Sequence, residues 1–252
     1  MKIRSLAAVV GIGLIILFAH GLGAEAAEVK VIGANPVKAV VQELGAQFER
    51  ESGHKVVTKF LTGVKGEIDA GEPFDVAIST TSGIDGLIKE GKIIAATRAD
   101  VAYAGIGVGV RAGAPKPDLS SVEVFKRALL NAKSVAHSRA GTSGVHFKGL
   151  LERFGIAEEM KPKLKPLSGD ALVQAVPSGE AEMIVGTMSD IVAGGTVLVG
   201  PLPPELQLYI RSAAGVVTTA KEPEAAKALI KFLTAPAAIP VIKVNGMEPG
   251  SP

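Results

Sequence analysis

The chain of 252 residues contains no cysteine and no tryptophan, and its aromatic content is only 4%. Without cysteine it can form no disulfide, no thiolate metal site and no lipid anchor built on a lipobox. With so few aromatics, a sugar site built by stacking rings is not expected. Four histidines are present. One, His20, falls in the first 26 residues. The other three, His54, His137 and His146, never stand at a metal-ligand spacing such as i, i+4. No metal and no cofactor is expected. Charge of one sign is also lacking: 27 basic residues face 25 acidic ones, for a net charge of +2. There is no basic run and no basic patch interleaved with aromatics, so no nucleic-acid partner is expected.

One long hydrophobic run exists, at residues 6–19, too short to span a bilayer comfortably. Lys2 and Arg4 precede it, and Ala24, Glu25 and Ala26 follow with small residues at −3 and −1 of a cut after Ala26. This is the pattern of a cleaved signal peptide, residues 1–26, and it implies export to the periplasm. Cleavage removes two basic residues and one acidic residue, leaving 226 residues with a charge of +1. That length can bury one large core or two modest ones.

After the leader, short apolar runs alternate with helix-periodic segments. Residues 29–32 read as a buried strand. Asn35 then reads as an N-cap and Pro36 as the first helical residue, with Val37, Val40, Val41, Leu44 and Phe48 on one face and Gly53 as the stop. Further strands are expected at 56–60 and 74–78, each followed by a polar, Gly-containing loop (62–66 and 79–83). A short helix ends at Gly91. This alternation argues for βαβ units and a largely parallel sheet.

A second block opens near residue 104 with the strand at 105–110, in which Gly105, Gly107 and Gly109 alternate. No helix follows directly, so a dinucleotide loop is not read there. Ser120 and Glu123 have the spacing of a capping box for a helix through Leu130. Strands are expected at 134–137 and 181–185, with helices at 147–154 and 170–176 and a polar loop at 186–190. Residues 194–206 read as an irregular connection. A strand at 208–218 and an amphipathic helix at 222–233 follow.

Residues 138–146, Ser-Arg-Ala-Gly-Thr-Ser-Gly-Val-His, form the most informative stretch. A Gly/Ser/Thr loop leading into a helix leaves backbone N–H groups free at the positive end of the dipole, which suits a small anion. Arg139 could add a bidentate fork for a carboxylate. The plainer reading is that Thr142 or Ser143 caps the helix and Arg139 is a solvated surface charge. His137 reads as a core histidine in a buried strand and His54 as a surface residue, while His146 stands one turn inside the helix. Polar loops after strand ends place Asn35, Thr62, Lys65, Thr80 and Thr81 as further ligand candidates, because ligands of open α/β sheets sit beyond the carboxyl ends of the strands. Lys65 could face Arg139 across a cleft. No Gly-x-Ser-x-Gly elbow and no triad partner is evident.

Several segments together resemble the molybdate-binding type of periplasmic solute-binding protein. They are residues 73–80 (Pro-Phe-Asp-Val-Ala-Ile-Ser-Thr), 87–93 (Leu-Ile-Lys-Glu-Gly-Lys-Ile), 110–114 (Val-Arg-Ala-Gly-Ala), 200–207 (Gly-Pro-Leu-Pro-Pro-Glu-Leu-Gln), 235–240 and 246–249. Their order and spacing carry the resemblance from about residue 28 to 249. It implies an α/β, two-lobed type II periplasmic binding fold, with a mixed, mostly parallel sheet in each lobe and a ligand cleft between. Residues 27–104 plus 203–252 would form lobe I and 105–202 lobe II. The expected partners are a small anionic ligand and an ABC permease of the inner membrane, with the protein acting as a monomer. The first two loops lack the serines of the molybdate pattern: Gly33, Ala34, Asn35 and Pro36 stand at one, Thr62 to Gly66 at the other. With Arg139 in the second lobe, this favours an organic carboxylate over molybdate.

The alternative belongs to another class. Some proteins resembling this family act on aconitate by moving a proton. An exported isomerase on the same scaffold would need carboxylate clamps and one acid/base group. His146 could shuttle the proton, with Lys65 and Arg139 as clamps.

Overall fold

The computed structural model describes residues 26–250, so residues 1–25 of the expected leader lie outside it. Among the described residues ten strands form one curled sheet: eight follow the order β2-β1-β3-β9-β4-β7-β5-β6, and β8 and β10 pair onto β4. In chain order these are β1 (Glu28–Ala34), β2 (Lys55–Leu61), β3 (Val76–Thr80), β4 (Ala99–Val110), β5 (Val135–Ser138), β6 (Leu164–Leu167), β7 (Met183–Thr187), β8 (Val197–Pro201), β9 (Tyr209–Val216) and β10 (Glu248–Pro249). The helices are α1 (Lys38–Ser52), α2 (Val64–Asp69), α3 (Thr81–Lys89), α4 (Val122–Asn131), α5 (Thr142–Arg153), α6 (Ala157–Met160), α7 (Gly169–Gln174), α8 (Met188–Ala193), α9 (Pro223–Leu233) and α10 (Ile239–Val244).

The sheet has two halves. In the first, β2, β1 and β3 run parallel. In the second, β6, β5 and β7 run parallel. Between them lie β4 and β9, antiparallel to each other and to their neighbours. Strand β4 belongs to both halves: Ala99 to Gly105 pairs with β9, whereas Ile106 to Val110 pairs with β7 and β8. At the changeover, the Gln207 side-chain amide takes the part of a strand. Its Nε2 donates to Ile106 O at 3.0 Å and its Oε1 accepts from Ile106 N at 3.0 Å.

The inner strands β1, β3, β5 and β7 are covered on both faces and are mostly buried, whereas the edge strand β2 alternates in exposure and β6 is partly exposed. Val29 and Val31 face one way, onto Val40, Val41 and Leu44 of α1 and Leu229 of α9. Ile32 faces the other way, onto Val64, Ile84 and Leu87 of α2 and α3. In the second half, Phe125 and Leu129 of α4 with Phe147 and Leu151 of α5 cover one face. Leu172, Val176 and Ile191 of the α7 and α8 region cover the other. The Gly alternation in β4 is a packing device. A Cβ at Gly107 would lie 2.8 Å from Gly200 O and 2.9 Å from Met188, and one at Gly109 would lie 2.6 Å from Ile191. Helix α8 and strand β8 approach that closely only because β4 presents bare backbone. The buried Asp75 carboxylate staples three backbone amides, those of Lys30, Lys221 and Glu222, at 2.7–3.0 Å, and so ties β1 to the start of α9.

Several local expectations are corrected. Ser121, not Ser120, caps α4, its Oγ accepting from Val124 N at 3.3 Å. The Ser120 amide is instead held by Asp118 Oδ1 at 2.8 Å. Asn35 caps no helix: it opens a 3₁₀ turn, Asn35–Val37, ahead of α1. Neither Thr142 nor Ser143 caps α5; Gly141 holds that position, and Ser138 Oγ accepts its amide at 3.0 Å. The irregular connection at 194–206 contains β8, and the polar loop at 186–190 is the start of α8, capped by Thr187. His54 is half-buried rather than free on the surface, stacked on Phe48 with Nδ1 accepting from Ala27 N at 3.1 Å. His137 is the core residue expected. It is buried against Phe147, with Nδ1 2.9 Å from Ser138 O, and burial holds its imidazole below the ordinary value.

Candidate functional site

Five strands end on one side of the sheet, and their ends surround a cleft with a volume of about 310 Å³ between the two halves. The first half contributes Ala34 at the end of β1 with Asn35 beyond it, Leu61 at the end of β2 with Thr62 to Lys65 beyond it, and Ser79 and Thr80 of β3. The second half contributes Ser138 at the end of β5 and residues 140–143 beyond it, Gly169 and Leu172 of α7, Thr187 at the end of β7 and Asp190 of α8. Ile210 and Ser212 of β9 form the wall between. A turn of chain after each strand carries it over the edge of the sheet, which is why loops and helix starts, not helix bodies, line the space.

The lining is rich in neutral donors. It includes the hydroxyls of Thr62, Ser79, Thr80, Ser138, Thr142, Ser143, Thr187 and Ser212, and the Asn35 amide. Asn35 Nδ2 lies 3.4 Å from Thr62 Oγ1, which links the first two loops. Thr80 Oγ1 accepts from Gly83 N at 3.2 Å and so caps α3. Val64, Lys65, Thr142 and Ser143 are first-turn residues of α2 and α5, whose amides have no intrahelical acceptor. Helix α5 starts hard against the end of β5: a Cβ at Gly144 would lie 1.7 Å from Ser138 O.

Two ionisable side chains reach the cleft. Lys65 is held in ion pairs with Glu90 at 2.5 Å and Asp69 at 3.0 Å, and Lys92 pairs with the same Asp69. The Glu90 and Asp69 bonds raise the Lys65 ammonium above its ordinary value, so its charge is permanent but already balanced. Asp190 is buried, and its Oδ2 accepts from Thr187 Oγ1 at 2.6 Å. Burial pushes its carboxyl up to about 6, against the opposing Thr187 bond. Ser189 Oγ lies 3.2 Å from Thr187 Oγ1 and completes a buried hydroxyl relay.

Of the residues singled out in the sequence, Asn35, Thr62, Lys65, Thr80, Thr142 and Ser143 line the cleft. Three do not. Arg139 is exposed, and only its backbone is engaged, N to Leu167 O at 2.8 Å and O to Lys148 Nζ at 3.2 Å. His146 Nε2 is 2.8 Å from Leu206 O, so the ring packs against the segment leading to β9 and not against the cleft. The Thr81 hydroxyl is buried without a partner among the described residues. Lys65 therefore faces no arginine. The reading missed Ser79, Ser138, Thr187, Asp190 and Ser212. The first four lie at strand ends or in the turn beyond, a position that could have found them. Ser212 lies inside β9 and carries no such signal.

Residues 29–248 match the profile of the bacterial extracellular solute-binding proteins, and the chain belongs to that family. It is a solute-binding protein of the ABC-transporter type with a type II periplasmic binding fold. The molybdate-binding protein ModA of Azotobacter vinelandii is 30% identical over 245 residues, covering 92% of this chain and 96% of the relative. An aconitate isomerase from a Pseudomonas species is 27% identical over 228 residues, 87% of each chain. Among solved structures, the periplasmic molybdate-binding protein of Azotobacter vinelandii superposes with a TM-score of 0.74 at 19% identity, over 88% of this chain and 100% of that one.

Proposed function

We propose that this protein captures a small organic carboxylate in the periplasm, as a monomer, and presents it to an ABC permease. The observation that carries the reading is the cleft itself: neutral hydroxyls and first-turn amides from both halves of one chain converge on it, while its one cationic side chain is already balanced. Such donors favour an anion without the cost of desolvating a bare cation. The volume of about 310 Å³ supports a carboxylate of several carbons. Arg139, lying outside the cleft, has no part in this reading.

A thermal-shift screen against molybdate, tungstate, sulfate, phosphate and a set of di- and tricarboxylates tests it. Saturating ligand should raise the melting temperature through RT ln(1 + [L]/Kd), about 2.7 kcal/mol at a hundredfold excess over Kd. A carboxylate is expected to give the largest shift. A shift with molybdate or tungstate alone would overturn the carboxylate reading and keep the receptor.

The aconitate isomerase relative supports a second reading, proton transfer on a tricarboxylate within the same cleft. In that case Asp190, rather than His146, is the group placed to exchange a proton with a bound ligand. The expected result is conversion of cis- to trans-aconitate that His146→Ala retains and Asp190→Asn loses. No turnover by the unaltered protein would dispose of the enzyme.

A further inference from the structure

Asp190 is an unusual group to find in a cleft built for anions. It is 8% exposed and stands between the main cleft and an adjoining cavity of about 250 Å³ that Asn35, Lys38 and Asp170 also line. The Ser189 and Thr187 hydroxyls feed into its Oδ2. Its Oδ1 has no hydrogen-bond partner among the described residues, and Asp190 lines the main cleft as well as this cavity. A buried carboxylate oxygen with no donor is costly, and the missing hydrogen must come from solvent or from a ligand.

Among the described residues no cation answers it. The strands packed against α8, β7 and β8, bring no ionisable side chain, and neither does the 3₁₀ turn before α1. Strand β4 carries Asp100 and Tyr103 at its far end, where they meet Arg98 and Arg211. Helix α7 brings Asp170, which Lys38 holds at 2.6 Å. Near the chain end, Lys243 and Glu248 are exposed. Lys65, on the opposite wall, is held by Glu90 and Asp69.

We infer that Asp190 is the specificity-determining residue of the cleft: its Oδ1 accepts a hydrogen bond from a hydroxyl carried by the ligand, so the site selects hydroxy-carboxylates over carboxylates that lack the hydroxyl. This rests on the carboxylate-receptor reading above. One hydrogen must lie between Asp190 and the bound anion. A hydroxylated ligand brings it, and Asp190 stays ionised. A ligand without a hydroxyl leaves two acceptors face to face, so Asp190 must take up a proton. Because burial raises its carboxyl to about 6, that proton is available near pH 6 and scarce at pH 8.

Matched pairs differing by one hydroxyl test this by calorimetric titration at about pH 6, 7 and 8: malate against succinate, and citrate against propane-1,2,3-tricarboxylate. Hydrogen phosphate against sulfate serves as an inorganic pair. The unaltered protein should prefer the hydroxylated member by about 10- to 100-fold at pH 8, the range of a charge-assisted hydrogen bond. The unhydroxylated member should weaken by up to about tenfold per pH unit above 6 and bind with proton uptake. In Asp190→Asn the amide carbonyl can keep the Thr187 bond and turn its NH₂ to the ligand, so preference and pH slope should both disappear. Equal, pH-independent affinities within a pair for the unaltered protein, or a preference that survives in Asp190→Asn, would overturn the role of Asp190 and leave the receptor standing. Binding of none of the six would overturn this inference, and the wider screen above, with molybdate and tungstate, then decides the anion reading. If Asp190→Asn does not fold, the pH series on the unaltered protein decides alone.

Discussion

At neutral pH the Asp190 carboxyl is ionised in a place that disfavours its charge, and this has a consequence for stability in the absence of ligand. Its folded value of about 6 lies above the ordinary value of 3.8. The folded chain therefore holds more protons between those two limits. The stabilisation is fully present below about pH 4 and is lost as pH rises through 6, by about 3 kcal/mol in all. Asp190→Asn should raise the melting temperature of the empty protein at pH 7–8, and the advantage should vanish toward pH 4. A melting series across that range checks it, and an advantage independent of pH would assign the gain to packing. A second residue makes the opposite point. Arg139 is the most obvious anion partner in the sequence, yet its side chain lies outside the cleft. Arg139→Ala is expected to leave affinity for any ligand within about twofold. Residue type announced Arg139, but only the route of the chain after β5 decides which way each side chain of that loop turns.

Strands and helices were easier to read than sites, for a physical reason. The runs at 29–32, 74–78 and 181–185 are mostly apolar, each broken by one charged residue (Lys30, Asp75 and Glu182), because helices cover both faces, and composition exposes that directly. The stops at Gly53 and Gly155 carry φ of 75° and 68°, which glycine adopts at little cost. Strand β8 escaped because its residues, Val-Leu-Val-Gly-Pro, lie in a Gly- and Pro-rich segment and pair only with β4. Helix α8 escaped because its first turn carries the polar residues Ser189 and Asp190, which with Gly186 and Thr187 read as a loop. The capping position of α4 was missed by one residue because Ser120 and Ser121 both offer a hydroxyl. At this scale the bare face of β4 is the most exacting element. Gly109→Val would drive side-chain carbons into Ile191, Thr196 and Ile184, all within 2.9 Å of a Cβ there. Overpacking of this kind costs about 1–3 kcal/mol or more. Since α8 carries Asp190, the variant should also lose affinity. A fall in melting temperature with binding untouched would show that α8 moves independently of the cleft wall.

For the molecule as a whole, the halves meet through β4, β9 and the Gln207 amide, and at the rim through the Lys38–Asp170 ion pair. That pair is largely solvated, with side chains 37% and 80% exposed, and is worth about 0–1 kcal/mol. Lys38→Ala should therefore weaken binding by no more than about fivefold, measured by calorimetry. A larger loss would make the pair a determinant of closure rather than an accessory to it. The balanced charge of Lys65 matters at the same scale. Among the described residues the one cation lining the cleft is already neutralised, which leaves the Asp190 carboxylate as its uncompensated charge at neutral pH, and the chain as a whole carries little net charge. Anionic ligands are then not drawn in by the field of the cleft. The rate of capture should not fall, and should rise slightly, as added salt shortens the screening length from about 30 Å to about 3 Å. A protein built this way would scavenge its solute at least as fast in briny as in dilute surroundings.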